Sequence, residues 1–280
     1  MRVKITSDST CDLSREIINK YNIKITPLYI TYGNESFRDG LDITADDIYR
    51  REKEKGVIGS TAAVNVQDYI DVFTDLLKEY EAIVHFTISS DMSSCYQNAC
   101  LAAEVTGNVY VIDSRNLSTG IGHLVMDAAE MAAKGISAAD IKAELDRKKE
   151  KLDVSFVLST LDYLSKGGRC SAVAAFGANL LKIRPCIEVR DGKMGVGKKY
   201  RGVFEKCLVQ YVQDKLADVN SVDTKRIFIT DSGVEEEIWQ LVRETLLKIA
   251  PFEEIIHTRA GCTVSSHCGP GCLGILFYRK

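Results

Sequence analysis

Residues 83–89, IVHFTIS, are apolar on both faces and run straight into the hydroxyl-rich turn SSDMSS at 89–94. A strand with one wet face alternates. One without alternation reads as the interior of a parallel sheet with helices on both sides. Residues 109–113 repeat the pattern, and 3–7 and 23–32 read as further strands. Apolar residues at helical spacing fall between them, at 46–55, 66–80, 94–105 and 122–133, and Ser137 and Asp140 form a capping box that opens another helix. This order predicts a three-layer α/β/α domain on a parallel sheet, of Rossmann-like type.

The second half has another rhythm. After a strand at 154–158 and a helical stretch at 172–181, residues 186–196 read as a hairpin on the Asp191-Gly192 turn, which brings in antiparallel pairing. Helices at 203–216 and 236–249, with strands at 226–230, 254–258 and 273–278, complete a smaller two-layer α/β domain with a mixed sheet. The expected division is 1–153 and 154–280.

The bulk composition excludes several functions. The chain has 280 residues, is 45% hydrophobic and carries a net charge of -3, so it lacks the basic footprint that nucleic acid or an anionic membrane demands. The first residues alternate like a strand and no apolar run approaches membrane-spanning length, so a cytoplasmic location is expected. Nine scattered cysteines, an odd number without a signal segment, argue for reduced thiols.

Residues 267–274, HCGPGCLG, contain the letters of a dinucleotide loop. That loop needs a helix after its glycines, whereas here only ILFYRK follows. Gly195 to Lys199 lack the spacing of a phosphate loop. Cys262, His267, Cys268 and Cys272 have poor zinc spacing and no second knuckle, so no metal is expected. Three hydroxyl turns, at 7–10, 60–61 and 89–94, stand at predicted strand ends, where the crevice of such a sheet lies. Each is also an ordinary helix cap. Ser93, between strand and helix, is placed to meet an anion. It is also the candidate nucleophile of a serine esterase or lipid hydrolase, with His123, His257 or His267 as base, although Asp91 and Cys95 stand where an elbow has glycine. His267 precedes a Gly-Pro-Gly turn that can project its ring at a site. Lys166 and Arg169 put two cations on a glycine turn.

Taken in order, DSTCDL (8–13), FRDGLDIT (37–44), ISSDMSSCYQ (88–97), VIDS (111–114), LDYLSKGGR (161–169) and HCGPG (267–271) resemble the bacterial DegV family from end to end. The resemblance implies two domains with one long-chain fatty acid, such as palmitate, in a buried tunnel between them. By position it implies that Thr61 and Ser93 hold the carboxylate, supported by Arg169, His267 and Arg201. It implies a carrier without cofactor or turnover, which presents its lipid to a separate ATP-dependent fatty acid kinase. The family usually has Thr-Ser-Gln-Pro-Ser where this chain has TAAVN (61–65), and Gly-Leu-Ser-Gly-Thr-Tyr where it has DMSSCY (91–96). Ala62, Ala63, Asp91 and Ser94 are therefore departures from the pattern.

Overall fold

The computed structural model describes residues 2–170 and 183–280. In chain order the first half comprises β1 (Val3–Asp8), α1 (Arg15–Lys20), β2 (Lys24–Thr26), β3 (Tyr29–Tyr32), β4 (Glu35–Arg38), α2 (Ala45–Lys55), β5 (Ser60–Ala62), α3 (Val66–Leu76), β6 (Ala82–Thr87), α4 (Cys95–Thr106), β7 (Val109–Asp113), α5 (Thr119–Ala133) and α6 (Ala138–Lys148). Four of its strands form a parallel sheet in the order β2-β1-β6-β7. Every residue of β6 is buried, as expected for a strand covered on both faces. The α3–α4 and α5–α6 pairs pack over this sheet.

The second half contributes β8 (Leu152–Val157), α7 (Asp162–Gly167), β9 (Ile183–Arg190), β10 (Lys193–Arg201), α8 (Phe204–Lys215), β11 (Val222–Asp231), α9 (Glu236–Ile249), β12 (Glu254–Arg259), α10 (Cys262–Cys268) and β13 (Leu273–Arg279). Its six-stranded mixed sheet runs β10-β9-β8-β13-β11-β12, in which only β11 and β12 are parallel neighbours. Helices α8 and α9 bury one face against Leu208, Tyr211, Val212, Val242 and Leu246. The other face, with Val154, Phe156 and Leu276, joins the core of the first sheet, so a continuous apolar core spans both halves.

The strand expected at 23–32 is two strands in different sheets. Pro27 has no N–H to donate, and Leu28 leaves the ladder, giving its N–H to Ser9 Oγ at 3.1 Å and its carbonyl to Asp39 N–H at 2.9 Å. β3 then forms a small antiparallel sheet in the order β4-β3-β5, which the sequence reading did not anticipate. Ser60 and Thr61 lie within β5 and not in a turn at a strand end. His267 sits in the last turn of α10, an unforeseen helix, instead of in the glycine turn that follows. The expected helix at 172–181 lies outside the described residues. Among the described residues, no helix is long and apolar enough to cross a membrane.

Candidate functional site

At the junction of the two halves lies a cavity of about 270 Å³. Thr61 reaches it from β5, Met92 and Ser93 from the turn before α4, Arg169 from the turn after α7, Met194 from β10, and Thr263, Val264, His267 and Cys268 from α10. Thr61, Ser93, Arg169 and His267 thus share one wall system, although each is remote from the others in sequence. Arg201 does not join them: it is exposed at the end of β10, opposite Ile183.

Thr61 Oγ1 lies 2.9 Å from His267 Nε2. Burial, with the Arg169 charge adding to it, pulls the His267 imidazole down to about 4, so the ring is neutral at pH 7. Its Nδ1 is buried and has no partner among the described residues. An orphaned buried N–H is rarer than an orphaned acceptor, which favours the tautomer with the proton on Nε2. In that tautomer Nε2–H donates to Thr61, and the Thr61 hydroxyl proton is free to point into the cavity.

Ser93 Oγ accepts the Cys95 N–H at 3.3 Å and directs its own proton to Cys95 Sγ at 3.2 Å. Sulfur is a weak acceptor, so a carboxylate would compete well for that proton. Arg169 donates to the Gly167 carbonyl at 2.9 Å and to Met92 O at 3.5 Å, and no carboxylate pairs with it among the described residues. Its charge is left for whatever occupies the cavity. A second, more open space, shared with Thr61, Arg169 and His267, is lined by Lys166, Ser266 and the loop at 56–60 and forms a mouth at this end.

The opposite end is apolar. Leu117, Val264 and Cys268 are common to the main cavity and to a void of about 20 Å³ bounded by Phe156, Gly274 and Leu276. Polar side chains border this void but spend their bonds elsewhere: Thr230 on Thr119 and Thr258, Ser232 on the Gly269 carbonyl and Cys272 N–H, Ser118 on Asp12. What they turn to the void is carbon.

No histidine hydrogen-bonds Ser93. His85 is bonded to Thr6, His123 to the Leu276 carbonyl, His257 to Asp231 and His267 to Thr61. All nine cysteines are free thiols, and burial raises Cys11, Cys95, Cys186 and Cys262, so these are apolar packing groups. No cluster of three metal-binding side chains occurs among the described residues.

The sequence reading missed the apolar lining, Leu28, Leu117 and Val264 included, because single apolar residues beside turns look like any other core positions. It also missed Asp12 and Asp39, whose carboxyl groups accept backbone N–H groups at the start of α10.

A family model described as DegV family matches residues 2–280. A DegV domain-containing protein of Clostridium perfringens is 32% identical over 281 residues, covering 100% of this chain and 99% of that one. Among solved structures, a DegV family protein from Thermus thermophilus, described by its fatty acid binding, superposes with a TM-score of 0.92 at 29% identity over 100% of both chains. A stearic acid-binding protein from Eubacterium ventriosum superposes with a TM-score of 0.88 at 28% identity, covering 99% of this chain and 98% of that one.

Proposed function

The chain belongs to the DegV family, and from that premise we propose that it binds one long-chain fatty acid, such as palmitate, as a cytoplasmic carrier without turnover of its own. The carboxylate sits at the Thr61, Ser93, His267 and Arg169 end, and the tail runs past Leu117 and Val264 towards Phe156. The observation that carries this reading is a cavity with the Thr61 and Ser93 hydroxyls at one end, beside an Arg169 that no carboxylate pairs among the described residues, and an adjoining void lined by carbon at the other.

Energetics assign the two ends different tasks. Burying about sixteen carbons at roughly 0.8 kcal/mol each gives a gross gain on the order of 10 kcal/mol, whereas a hydrogen bond to a charged group nets about 1.5–3 kcal/mol. The tail sets affinity and the head sets orientation. A desolvated carboxylate needs several donors at once, which accounts for two hydroxyls and a guanidinium at one end. We further propose that the carboxylate, lying towards the mouth, is presented to a separate ATP-dependent kinase that forms the acyl phosphate. The absence of a nucleotide loop in the sequence supports a separate partner.

Mass spectrometry of organic extracts of the purified protein tests the reading. Stoichiometric fatty acid is the expected result, and ester hydrolysis lost in Ser93→Ala would favour a hydrolase instead. In titrations with a fluorescent fatty acid, Thr61→Ala and Ser93→Ala should each cost about 1–3 kcal/mol, with non-additive losses in the double variant because both grip one group. Unchanged affinity in a folded double variant would remove both from the site.

A further inference from the structure

Helix α10 supplies Thr263, Val264, His267 and Cys268 to the cavity, yet no side chain of its own caps its start. The caps come from the first half of the chain. Asp12, in the turn after β1, accepts the Gly261 N–H at 2.9 Å. Asp39, just after β4, accepts the Cys262 N–H at 2.9 Å, the Thr263 N–H at 3.1 Å and the Thr263 hydroxyl at 2.7 Å. Both carboxylates are buried, at 5% and 4% exposure, and neither lines the cavity.

Each acid is tied in turn to another part of the wall. Ser9 Oγ donates to Asp39 at 3.0 Å and accepts the N–H of Leu28, a lining residue. Ser118 Oγ donates to Asp12 at 2.6 Å, and its neighbour Leu117 lines both the cavity and the far void. Asp12 and Ser118 both hold positive φ, 50° and 53°, a costly backbone state for residues other than glycine that persists only where the surroundings enforce it.

We infer that Asp39, with Asp12 beside it, is a positioning residue for the head of the cavity: it fixes the register of α10 against the first sheet and so sets the contact between His267 and Thr61. The inference rests on the fatty-acid reading above. Four donors converge on Asp39, namely two backbone N–H groups and two hydroxyls, and only a carboxylate accepts them all. An amide at position 39 would turn its NH₂ towards one of these donors, and α10 would have to shift. The His267 ring, on the last turn of this short helix, moves with it. The apolar tail route changes less, because Leu117, Phe156 and Leu276 of other elements wall it together with Val264 and Cys268 of α10.

The test compares two ligands with one tail. Palmitate and hexadecanol are titrated into delipidated protein, and the carboxyl resonance of bound [1-¹³C]palmitate is recorded. Asp39→Asn should weaken palmitate about tenfold, leave hexadecanol within about twofold and move the carboxyl resonance. Equal losses for both ligands, or an unmoved resonance with unchanged selectivity, would mean that Asp39 only stabilises the fold, and would overturn the inference. Should Asp39→Asn fail to fold, Ser9→Ala removes one of the four donors and is expected to shift selectivity in the same direction by about threefold; unchanged selectivity there also overturns it. If wild-type protein does not bind palmitate at all, the fatty-acid reading itself falls, a result distinct from loss of selectivity in the variants.

Discussion

Gly167 packs so closely on His267 that a Cβ there would overlap Nδ1 of the ring. Gly167→Ala is therefore expected to push the imidazole off Thr61 and to cost about 1–3 kcal/mol by overpacking, read as a lower denaturation midpoint together with weaker fatty acid binding. A second residue-scale effect belongs to Asp12, whose carboxyl is pushed up to about 8 by burial, against the hydrogen bonds from Ser118 and Gly261. Between the unfolded value near 4 and that figure, the native state keeps a proton that the unfolded chain has released, so stability falls as pH rises through this window. Asp8, raised to about 6 by burial, acts with the same sign over the lower part of it. Asp12→Asn removes the titrating proton and keeps an acceptor for the Gly261 N–H. Melting curves from pH 5 to about 8.5 should thus fall less steeply for the variant than for wild type; parallel curves would show that Asp12 does not titrate in this range. Thr61, Ser93, Arg169 and His267 could be named by their position in the family pattern, and the fold brings these four to one cavity. Asp12 and Asp39 were in quoted motifs too, but an acid in a turn looks like a local cap, and nothing in the sequence tells that the helix it caps lies more than two hundred residues away.

Helix α10 shows why an element can escape notice. Its residues, CTVSSHC, all belong to the weaker helix formers, and glycines flank them. Seven such residues would not hold a helix alone; borrowed carboxylate caps and packing against α7 and α2 hold it here. By contrast, α9 matched its expected span because a long amphipathic pattern needs no outside help. The same helix α10 narrows the route to the far void through Val264, beside Leu117 and Cys268. Val264→Phe should fill that neck. Competition with fatty acids of increasing length is expected to show long chains losing about tenfold while short ones bind as before; a uniform loss would mean that the tail takes another path.

At the scale of the whole molecule, the alternation of strand and helix and the Asp191-Gly192 hairpin were readable because local patterns dictate them. The joining of the two sheets was not, since it depends on contacts without local signature. Arg226, 3% exposed on β11, binds Asp127 and Glu130 of α5 and Glu254 of β12 at 3.2, 2.6 and 2.8 Å. Lys148 and Lys225 still serve Asp127 and Glu130 if the guanidinium is removed. Arg226→Met should for that reason cost about 2–4 kcal/mol, somewhat below a bare buried carboxylate, with an unchanged dependence on denaturant concentration. A changed slope would indicate that the two halves had begun to unfold separately.

The position of β13 in its sheet has a consequence for synthesis. It lies between β8 and β11, yet it follows every other strand of that sheet in the chain. A ribosome adding roughly 5–20 residues each second leaves β8 waiting on the order of ten seconds for its central neighbour. Once β12 is made, the strands β10-β9-β8 and β11-β12 are two fragments with facing unpaired edges, the state most open to wrong pairing with another nascent chain. The first sheet has no such delay, because its last strand, β7, is complete by Asp113. The emerging protein thus offers one sheet already paired and one that stays adhesive until β13 slots in, and a holding chaperone would find its client in the second.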